Sequence, residues 1–158
     1  MTLILFVCRG NTCRSPMAEL AARHKGRLAG LDGSVQFSSA GVSVDPDAIA
    51  ADPRALASVA RAGLDLSHHR PRPITLEMLL TAHHVYALDR SVLTHLRDLA
   101  PPAALPRLQL LLSLVPELHL DDVADPYSGT AHDYEHAFAL IERAVTVLIK
   151  TLQLPREA

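Results

Sequence analysis

Residues 8–15, which read Cys-Arg-Gly-Asn-Thr-Cys-Arg-Ser, constrain the fold of this chain more than any other segment. The apolar run before them, residues 3–7, predicts a buried strand, and residues 15–20 after them predict the start of a helix. A short loop between a strand and a helix can surround an anion with its backbone amides and with the positive helix end. Cys8 follows the predicted strand, so a thiol is expected beneath that anion site.

Short apolar runs alternate with longer periodic segments along the whole chain. This alternation predicts a mostly parallel sheet with helices on both faces, which is an α/β fold. In such sheets ligands bind at the carboxyl ends of the strands, where the 8–15 loop is expected. The predicted strands are residues 3–7, 35–39, 84–88 and 108–112, and the predicted helices are residues 16–28, 53–63, 75–80, 90–98 and 131–152.

Length, charge and cysteine content narrow the class of protein. The 158 residues suit one domain, expected over 1–154 with a tail at 155–158. A net charge of −2 argues against a nucleic-acid partner, and the sequence has neither a membrane-spanning apolar run nor the features of a signal peptide. Its only cysteines are Cys8 and Cys13, so a reduced, cytoplasmic setting is expected rather than a disulfide framework. The nine histidines include the pairs 68–69 and 83–84, neither of which has helical metal-ligand spacing, so these histidines are expected to be solvated or hydrogen-bonded.

The residue types in the loop suit nucleophilic attack on a phosphate. Only the thiolate form of Cys8 is strongly nucleophilic, and the loop amides, the Arg14 cation and the helix N-terminus all favour a negative charge there. Arg14 can also bind two phosphate oxygens with its planar fork. Ser15 can donate its hydroxyl to the Cys8 sulfur. Gly10 is expected to provide close backbone approach and a positive φ, and Asn11 to hold the loop through its amide.

Cleavage of a phosphate ester also needs an acid that protonates the leaving oxygen. Asp125, in an Asp-Pro-Tyr sequence before the last helix, is the first candidate. Asp121 and Asp122 lie in the same segment and compete for this role. The alternative is that Asp125 and Pro126 simply form a turn.

These motifs resemble the low-molecular-weight protein-tyrosine phosphatases over essentially the whole chain. Residues 7–15 match the signature V-C-x-G-N-x-C-R-S, and residues 125–127 match the D-P-Y that precedes the last helix. Shorter matches are S-A-G at 39–41, D-P-R-A at 52–55, and parts of the G-x-x-x-S-H-x-A-R region from Gly63 to Arg70.

The resemblance implies a four-stranded parallel sheet and a two-step hydrolysis of phosphotyrosine. Cys8 forms a phosphocysteine, Arg14 binds the phosphoryl group, and Asp125 acts as the acid, without metal or cofactor. Phosphorylated proteins are the implied substrates, inorganic phosphate the product, and a monomer or weak dimer the implied state. The resemblance also implies the residues that form and support the loop, which are Arg9, Gly10, Asn11, Thr12, Cys13, Ser15, Ser39 and His68. His69 competes with His68 for this position. Tyr127 is implied as the wall against which the substrate ring packs.

Three departures from the family pattern leave the phosphorylated side chain open. Residues 42–51 contain no aromatic residue, although the family often has one there. Thr12 resembles the protein-arginine phosphatases of the same family, where tyrosine phosphatases often have Ile. Residues 89–91, Asp-Arg-Ser, replace the common D-x-x-N pattern. A protein-arginine phosphatase is therefore the alternative within the family.

Other classes of function fit the sequence less well. An arsenate reductase of this fold needs a further cysteine pair, and none follows Cys13. A thiol redox sensor would use a reversible Cys8–Cys13 disulfide, which the family resemblance suggests as regulation. No Gly-Lys-Ser/Thr follows the loop, which argues against nucleotide binding. A non-catalytic phosphotyrosine-binding module would not require Cys8, Arg14 and Asp125 together.

Overall fold

Four parallel strands form one sheet in the computed structural model, which describes residues 1–155; counted along the chain, the second strand lies at one edge, followed by the first, the third and the fourth. This confirms the predicted α/β fold. The strands are β1 Thr2–Cys8, β2 Val35–Gly41, β3 His84–Ala87 and β4 Leu108–Leu110. The helices are α1 Arg14–Leu28, α2 Pro53–Ala60, α3 Leu76–Thr81, α4 Arg90–Leu99 and α5 Ala131–Gln153. Short 3₁₀ segments lie at Leu105–Arg107, Leu111–Leu114 and Pro116–Leu118.

The ends of several elements differ from the sequence predictions. β4 is shorter than predicted, because the chain turns into a 3₁₀ segment at Leu111. α2 ends at Ala60 rather than at residue 63, and Gly63 takes a positive φ of 78° in the turn that follows. α1 begins at Arg14, two residues earlier than predicted, which makes this arginine part of the helix. Of the predicted tail 155–158, only Pro155 lies within the described residues.

Alternate residues of β1 pack into two different apolar layers. Ile4 and Phe6 contribute to the layer that includes buried residues of α1 and α5, and Leu5 and Val7 to the layer that includes those of α3 and α4. This alternation follows from the two-residue period of a strand. The central strand is therefore buried on both faces, as expected for a parallel sheet covered by helices. No helix within residues 1–155 has the length and hydropathy to span a bilayer.

The pairing of β1 with β2 places Cys8 beside Gly41 at the carboxyl end of the sheet. The segment after β2 then packs on the 9–13 loop, through hydrogen bonds from Ser43 N to Arg9 O at 2.8 Å and from Asp52 N to Thr12 O at 2.9 Å. Gly41 lies where the 9–13 loop and the 42–52 segment meet. The sheet thus fixes where the loop begins, and the 42–52 segment supports it from the side.

A side chain at position 41 does not fit this arrangement. An ideal Cβ there would lie 2.7 Å from Arg9 O and 3.0 Å from Asn11 N, both of which are backbone atoms of the loop. We expect Gly41→Ala to lower the free energy of unfolding by about 2 kcal/mol, because backbone atoms must move to relieve the overlap. Gly33→Ala is the matched control: nothing lies within 4 Å of its Cβ, and a change within about 0.5 kcal/mol is expected. Equal effects of the two substitutions in urea denaturation would contradict this packing.

Candidate active site

The sulfur of Cys8 lies at the base of a cavity of about 560 Å³ at the carboxyl end of the sheet. Cys8 is the last residue of β1 and is buried, and its Sγ is 2.9 Å from Ser15 Oγ. The residues of the 8–15 loop that line the same cavity, besides Cys8, are Arg9, Gly10, Thr12, Cys13 and Arg14. The Cys8 sulfur and the loop thus share one cavity in which an anion can bind.

Arg14 is a buried cation whose guanidinium is held from one side. Only 2% of its side chain is exposed. Its Nη1 donates to Asp89 Oδ2 at 2.7 Å and to the carbonyl of Val123 at 2.8 Å. Burial acts to lower the pKa of Arg14, but the negative charge of Cys8 and the hydrogen bond to Asp89 raise the pKa overall. Because Nη1 has two hydrogens and both are used, Nε and Nη2 are the donors available to a bound phosphate.

Asn11 connects the loop to three neighbouring segments. Its Nδ2 donates to Ser15 Oγ at 2.8 Å and to Ser39 Oγ at 3.0 Å, and its Oδ1 accepts from Arg72 N at 3.0 Å. Ser15 Oγ accepts a hydrogen from Asn11 Nδ2, and its own hydrogen has two acceptors within reach, Cys8 Sγ at 2.9 Å and the carbonyl oxygen of Ala40 at 3.4 Å. The predicted contact of Ser15 with Cys8 and the predicted loop-holding position of Asn11 are both present in the structure.

The positive φ in the loop belongs to Asn11 and not to Gly10, so that prediction was wrong. Asn11 has φ 54°, whereas the positive-φ glycines among the described residues are Gly30 and Gly63. Asparagine tolerates the left-handed region better than most residues, and its buried hydrogen bonds hold it there. Gly10 lines the cavity, and a Cβ on it would contact only Thr12 Oγ1 at 3.7 Å.

The histidine beside the loop is His69, and the prediction of His68 was wrong. His69 Nε2 is 2.8 Å from the carbonyl oxygen of Asn11, whereas the His68 side chain is 92% exposed and lies 3.7 Å from Asp65. Because a carbonyl only accepts, Nε2 must carry the hydrogen. Burial lowers the pKa of His69, and the hydrogen bond to Asn11 offsets this only partly, so the neutral ring is favoured.

Of the three candidate acids, Asp125 lines the cavity. Its side chain is 43% exposed, its Oδ2 is 3.6 Å from Arg14 Nη2, and its Oδ1 accepts from Tyr127 N at 3.1 Å. Asp122 is bound by Arg90, and its Oδ2 lies 3.2 Å from Arg90 Nη2. The turn geometry expected from Asp-Pro and the cavity position are therefore both present at Asp125.

Among the described residues, Tyr127 is the one aromatic side chain that lines the cavity, and 65% of its surface is exposed. Ala48, Ala50 and Ala51 also belong to the lining. The guanidinium of Arg54 lies over the Tyr127 ring at 5.5 Å and donates to Gly129 O at 3.3 Å. Arg54 thus supports the segment that carries Asp125 and Tyr127.

Cys13 is buried like Cys8, but its sulfur has different hydrogen-bond partners. Its Sγ is 3.4 Å from the hydroxyl of Tyr134 and 3.6 Å from Thr12 Oγ1. Burial raises the pKa of the Cys13 thiol, which favours the neutral form. Cys8 and Cys13 are both free thiols in this structure.

Several residues of the site were not predicted from sequence. They are the partners that hold other groups in place: Asp89 on Arg14, Arg72 on Asn11 and Arg54 beside Tyr127. The family resemblance includes Asp89 and Arg54 only as parts of matched motifs. Nothing in the sequence pointed to Arg72 except its place between two prolines. Within residues 1–155, no group of three or more His, Cys, Asp or Glu side chains could hold a metal ion.

The sequence as a whole matches one family model, which is described as low molecular weight phosphotyrosine protein phosphatase and covers residues 3–157. The chain belongs to this family. Its members include the low molecular weight protein-tyrosine phosphatase A of Mycobacterium tuberculosis, which is 41% identical over 144 residues that cover 90% of this chain and 86% of that protein.

Two further comparisons place the chain within the family. The low molecular weight protein-tyrosine-phosphatase of Streptomyces coelicolor is 36% identical over 153 residues, which cover 95% of this chain and 93% of that protein. The structure of the YwlE arginine phosphatase from Geobacillus stearothermophilus superposes with a TM-score of 0.84 at 30% identity, covering 97% of this chain and 94% of that one. The family thus includes proteins named for different phosphorylated side chains.

The contact of His69 predicts a pH dependence of stability for this phosphatase-family chain. Its pKa in the fold lies below the unfolded value of about 6.5, so its stabilising contribution is present above that pH and is lost as the pH falls below it. We expect His69→Gln to flatten the loss of unfolding free energy between roughly pH 7 and pH 5. His68→Gln, one position away on an exposed side chain, should leave the pH profile unchanged. The reverse pattern in urea denaturation would contradict the placement of His69.

Proposed function

We propose that this chain is a protein-tyrosine phosphatase that works through a phosphocysteine intermediate. The observation that carries the proposal is the convergence of Cys8, Arg14 and Asp125 on one cavity. These three residues supply a nucleophile, a phosphate-binding cation and a proton donor, which together suffice for two-step hydrolysis of a phosphate monoester.

In the first step the Cys8 thiolate attacks phosphorus. The sulfur–phosphorus bond forms while the bond between phosphorus and the tyrosine oxygen breaks, and Asp125 gives its proton to that oxygen. Nε and Nη2 of Arg14 and the loop amides hold the phosphoryl oxygens, so that their charge is stabilised in the transition state. Asp89 and the Val123 carbonyl keep the guanidinium turned toward the cavity.

In the second step water attacks the phosphocysteine. Asp125, now a carboxylate, takes a proton from the water as the new phosphorus–oxygen bond forms. The sulfur leaves as a thiolate, and inorganic phosphate is the product. Ser15 stabilises the leaving sulfur, because its hydroxyl lies 2.9 Å away and is oriented by Asn11. Positioning and charge stabilisation by the protein thus account for both steps.

Tyrosine is the phosphorylated side chain that the cavity favours. The ring of Tyr127 offers a wall against which a phenyl ring can pack, and the guanidinium of Arg54 lies over this ring at 5.5 Å from its centroid. Phosphorylated proteins are the proposed substrates. The need for a free thiolate at Cys8 favours a reducing compartment such as the cytoplasm. The monomeric or weakly dimeric state stays a prediction.

A protein-arginine phosphatase is the second candidate. Thr12 lines the cavity beside Cys8, and the similar YwlE structure is named an arginine phosphatase. Small residues such as Ala48, Ala50 and Ala51 also line the cavity, and the described lining has no second aromatic ring to enclose a phenyl group. The exposed Tyr127 and the names of the curated relatives favour tyrosine.

Substitution of the nucleophile and of the acid tests the proposed chemistry. Cys8→Ser should abolish hydrolysis of p-nitrophenyl phosphate and retain binding of inorganic phosphate, because Arg14 and the loop are unchanged. Asp125→Asn should lower kcat/KM by about 100-fold for phenyl phosphate and far less for p-nitrophenyl phosphate, since a good leaving group needs little protonation. Asp121→Asn is the control for a neighbouring carboxylate. Normal turnover by Cys8→Ser, or an equal loss on both substrates in Asp125→Asn, would contradict these assignments.

The side chain preference is tested by kcat/KM on matched phosphotyrosine and phosphoarginine peptides. We expect phosphotyrosine to be preferred by about tenfold or more, as contacts in one pocket can provide. Thr12→Ile should weaken phosphoarginine turnover further and change phosphotyrosine turnover by less than about threefold. A preference for phosphoarginine in the unmodified chain would identify the second candidate as correct.

A further inference from the structure

The segment that carries Asp125 has no regular structure of its own. It runs from His119, after the last 3₁₀ segment, to Thr130, which precedes α5. The Asp125 carboxylate accepts one hydrogen bond, from Tyr127 within the same segment, and its distance to Arg14 is 3.6 Å. Apart from the ion pair with Arg14, the contacts of this carboxylate lie within its own segment, so its position depends on where the segment is anchored.

The anchors before Asp125 converge on the corner between β3 and α4. Val123 N donates to Leu88 O at 2.9 Å, and Val123 O accepts from Arg14 at 2.8 Å. One residue earlier, the Asp122 carboxylate is bound by Arg90 in three places: by the backbone N at 2.8 Å, by Nε at 3.3 Å and by Nη2 at 3.2 Å. This is the one side-chain ion pair that joins the segment 119–124 to another element within the described residues.

Arg90 is the first residue of α4, and its backbone N–H has no acceptor inside the helix. Asp122 Oδ1 takes that N–H while the guanidinium holds the same carboxylate from the side. Partial burial acts to raise the pKa of Asp122, but the hydrogen bonds and charge of Arg90 lower it overall, so the pair is ionised at neutral pH. Asp89, the N-cap of the same helix, holds Arg14. One helix end thus fixes both the phosphate-binding cation and the segment that carries the acid.

We propose that Arg90 and Asp122 are positioning residues that hold Asp125 within reach of the leaving-group oxygen, an inference that rests on the proposed function. Asp122 is three residues from Asp125. If the Arg90–Asp122 ion pair is lost, the segment can rotate about its anchor at Val123 and so displace Asp125. The pair lies at the surface, where an ion pair contributes little to overall stability. Its effect is expected in proton transfer and not in folding or phosphate binding.

The experiment compares kcat/KM on a series of aryl phosphates of increasing leaving-group basicity. Arg90→Gln should lower kcat/KM by about tenfold for phenyl phosphate and by less than about twofold for p-nitrophenyl phosphate, because a displaced acid matters most for a poor leaving group. The inhibition constant of inorganic phosphate should stay within about twofold, since Arg14 keeps its partners. Arg90→Lys, which keeps the charge and the backbone N–H, should recover part of the loss.

Arg97→Gln is the matched control, because it removes an exposed arginine from the same helix without a contact to the segment. It should leave the whole series unchanged. Asp122→Asn should reproduce the effect of Arg90→Gln, and the double variant should be no worse than either single variant within about twofold. Independent effects would instead multiply to about a hundredfold.

The outcomes separate this inference from the proposed function. If the unmodified chain hydrolyses the series and Arg90→Gln lowers all substrates equally, or leaves them unchanged, the positioning pair is wrong and the phosphatase assignment stands. Multiplicative effects of Arg90→Gln and Asp122→Asn in the double variant would likewise show that the positioning pair is wrong, and they would leave the phosphatase assignment standing. If the unmodified chain hydrolyses no aryl phosphate, the proposed function fails and the positioning pair fails with it.

Discussion

The buried guanidinium of Arg14 is the constraint on which the rest of the site depends. A buried charge is costly unless charged partners and hydrogen bonds surround it, and here Asp89 and the Val123 carbonyl provide both. Each partner belongs to a different part of the chain: Asp89 is the N-cap of α4, and Val123 lies in the segment before α5. Satisfying one cation therefore brings the 8–15 loop, the N-terminus of α4 and the irregular segment 119–130 to one place.

The architecture and the chemical core of the site could be predicted from sequence, because both depend on residues that are close together in the chain. Alternating apolar runs and periodic segments determine which faces are buried, and all four strands and five helices appear where that pattern predicts them. Cys8, Arg14 and Ser15 lie within a single strand–loop–helix unit, so local geometry alone brings them together. Asp125 is the first candidate from its Asp-Pro-Tyr sequence, but only the tertiary structure shows that it lines the cavity and that Asp121 and Asp122 do not, because all three share one irregular segment.

The wrong predictions concern groups whose environment is made by distant residues. Asn11 takes the left-handed conformation expected of Gly10, because hydrogen bonds with Ser39 and Arg72 hold it there, and no local pattern reveals those partners. His68 and His69 are adjacent and chemically identical, and no local pattern shows which ring contacts the carbonyl of Asn11. The early end of β4 has a comparable origin, since only Leu108, Gln109 and Leu110 of the predicted strand 108–112 pair with residues of β3.

Covalent capture of the phosphoryl group on Cys8 tests the central claim most directly. The unmodified protein is mixed with p-nitrophenyl phosphate, quenched within one turnover and mapped by peptide mass spectrometry. The account predicts a phosphoryl group on the sulfur of Cys8 that appears and decays at rates consistent with turnover, with Cys13 unmodified. Turnover without a phosphorylated Cys8, or with the phosphoryl group on another residue, would contradict it.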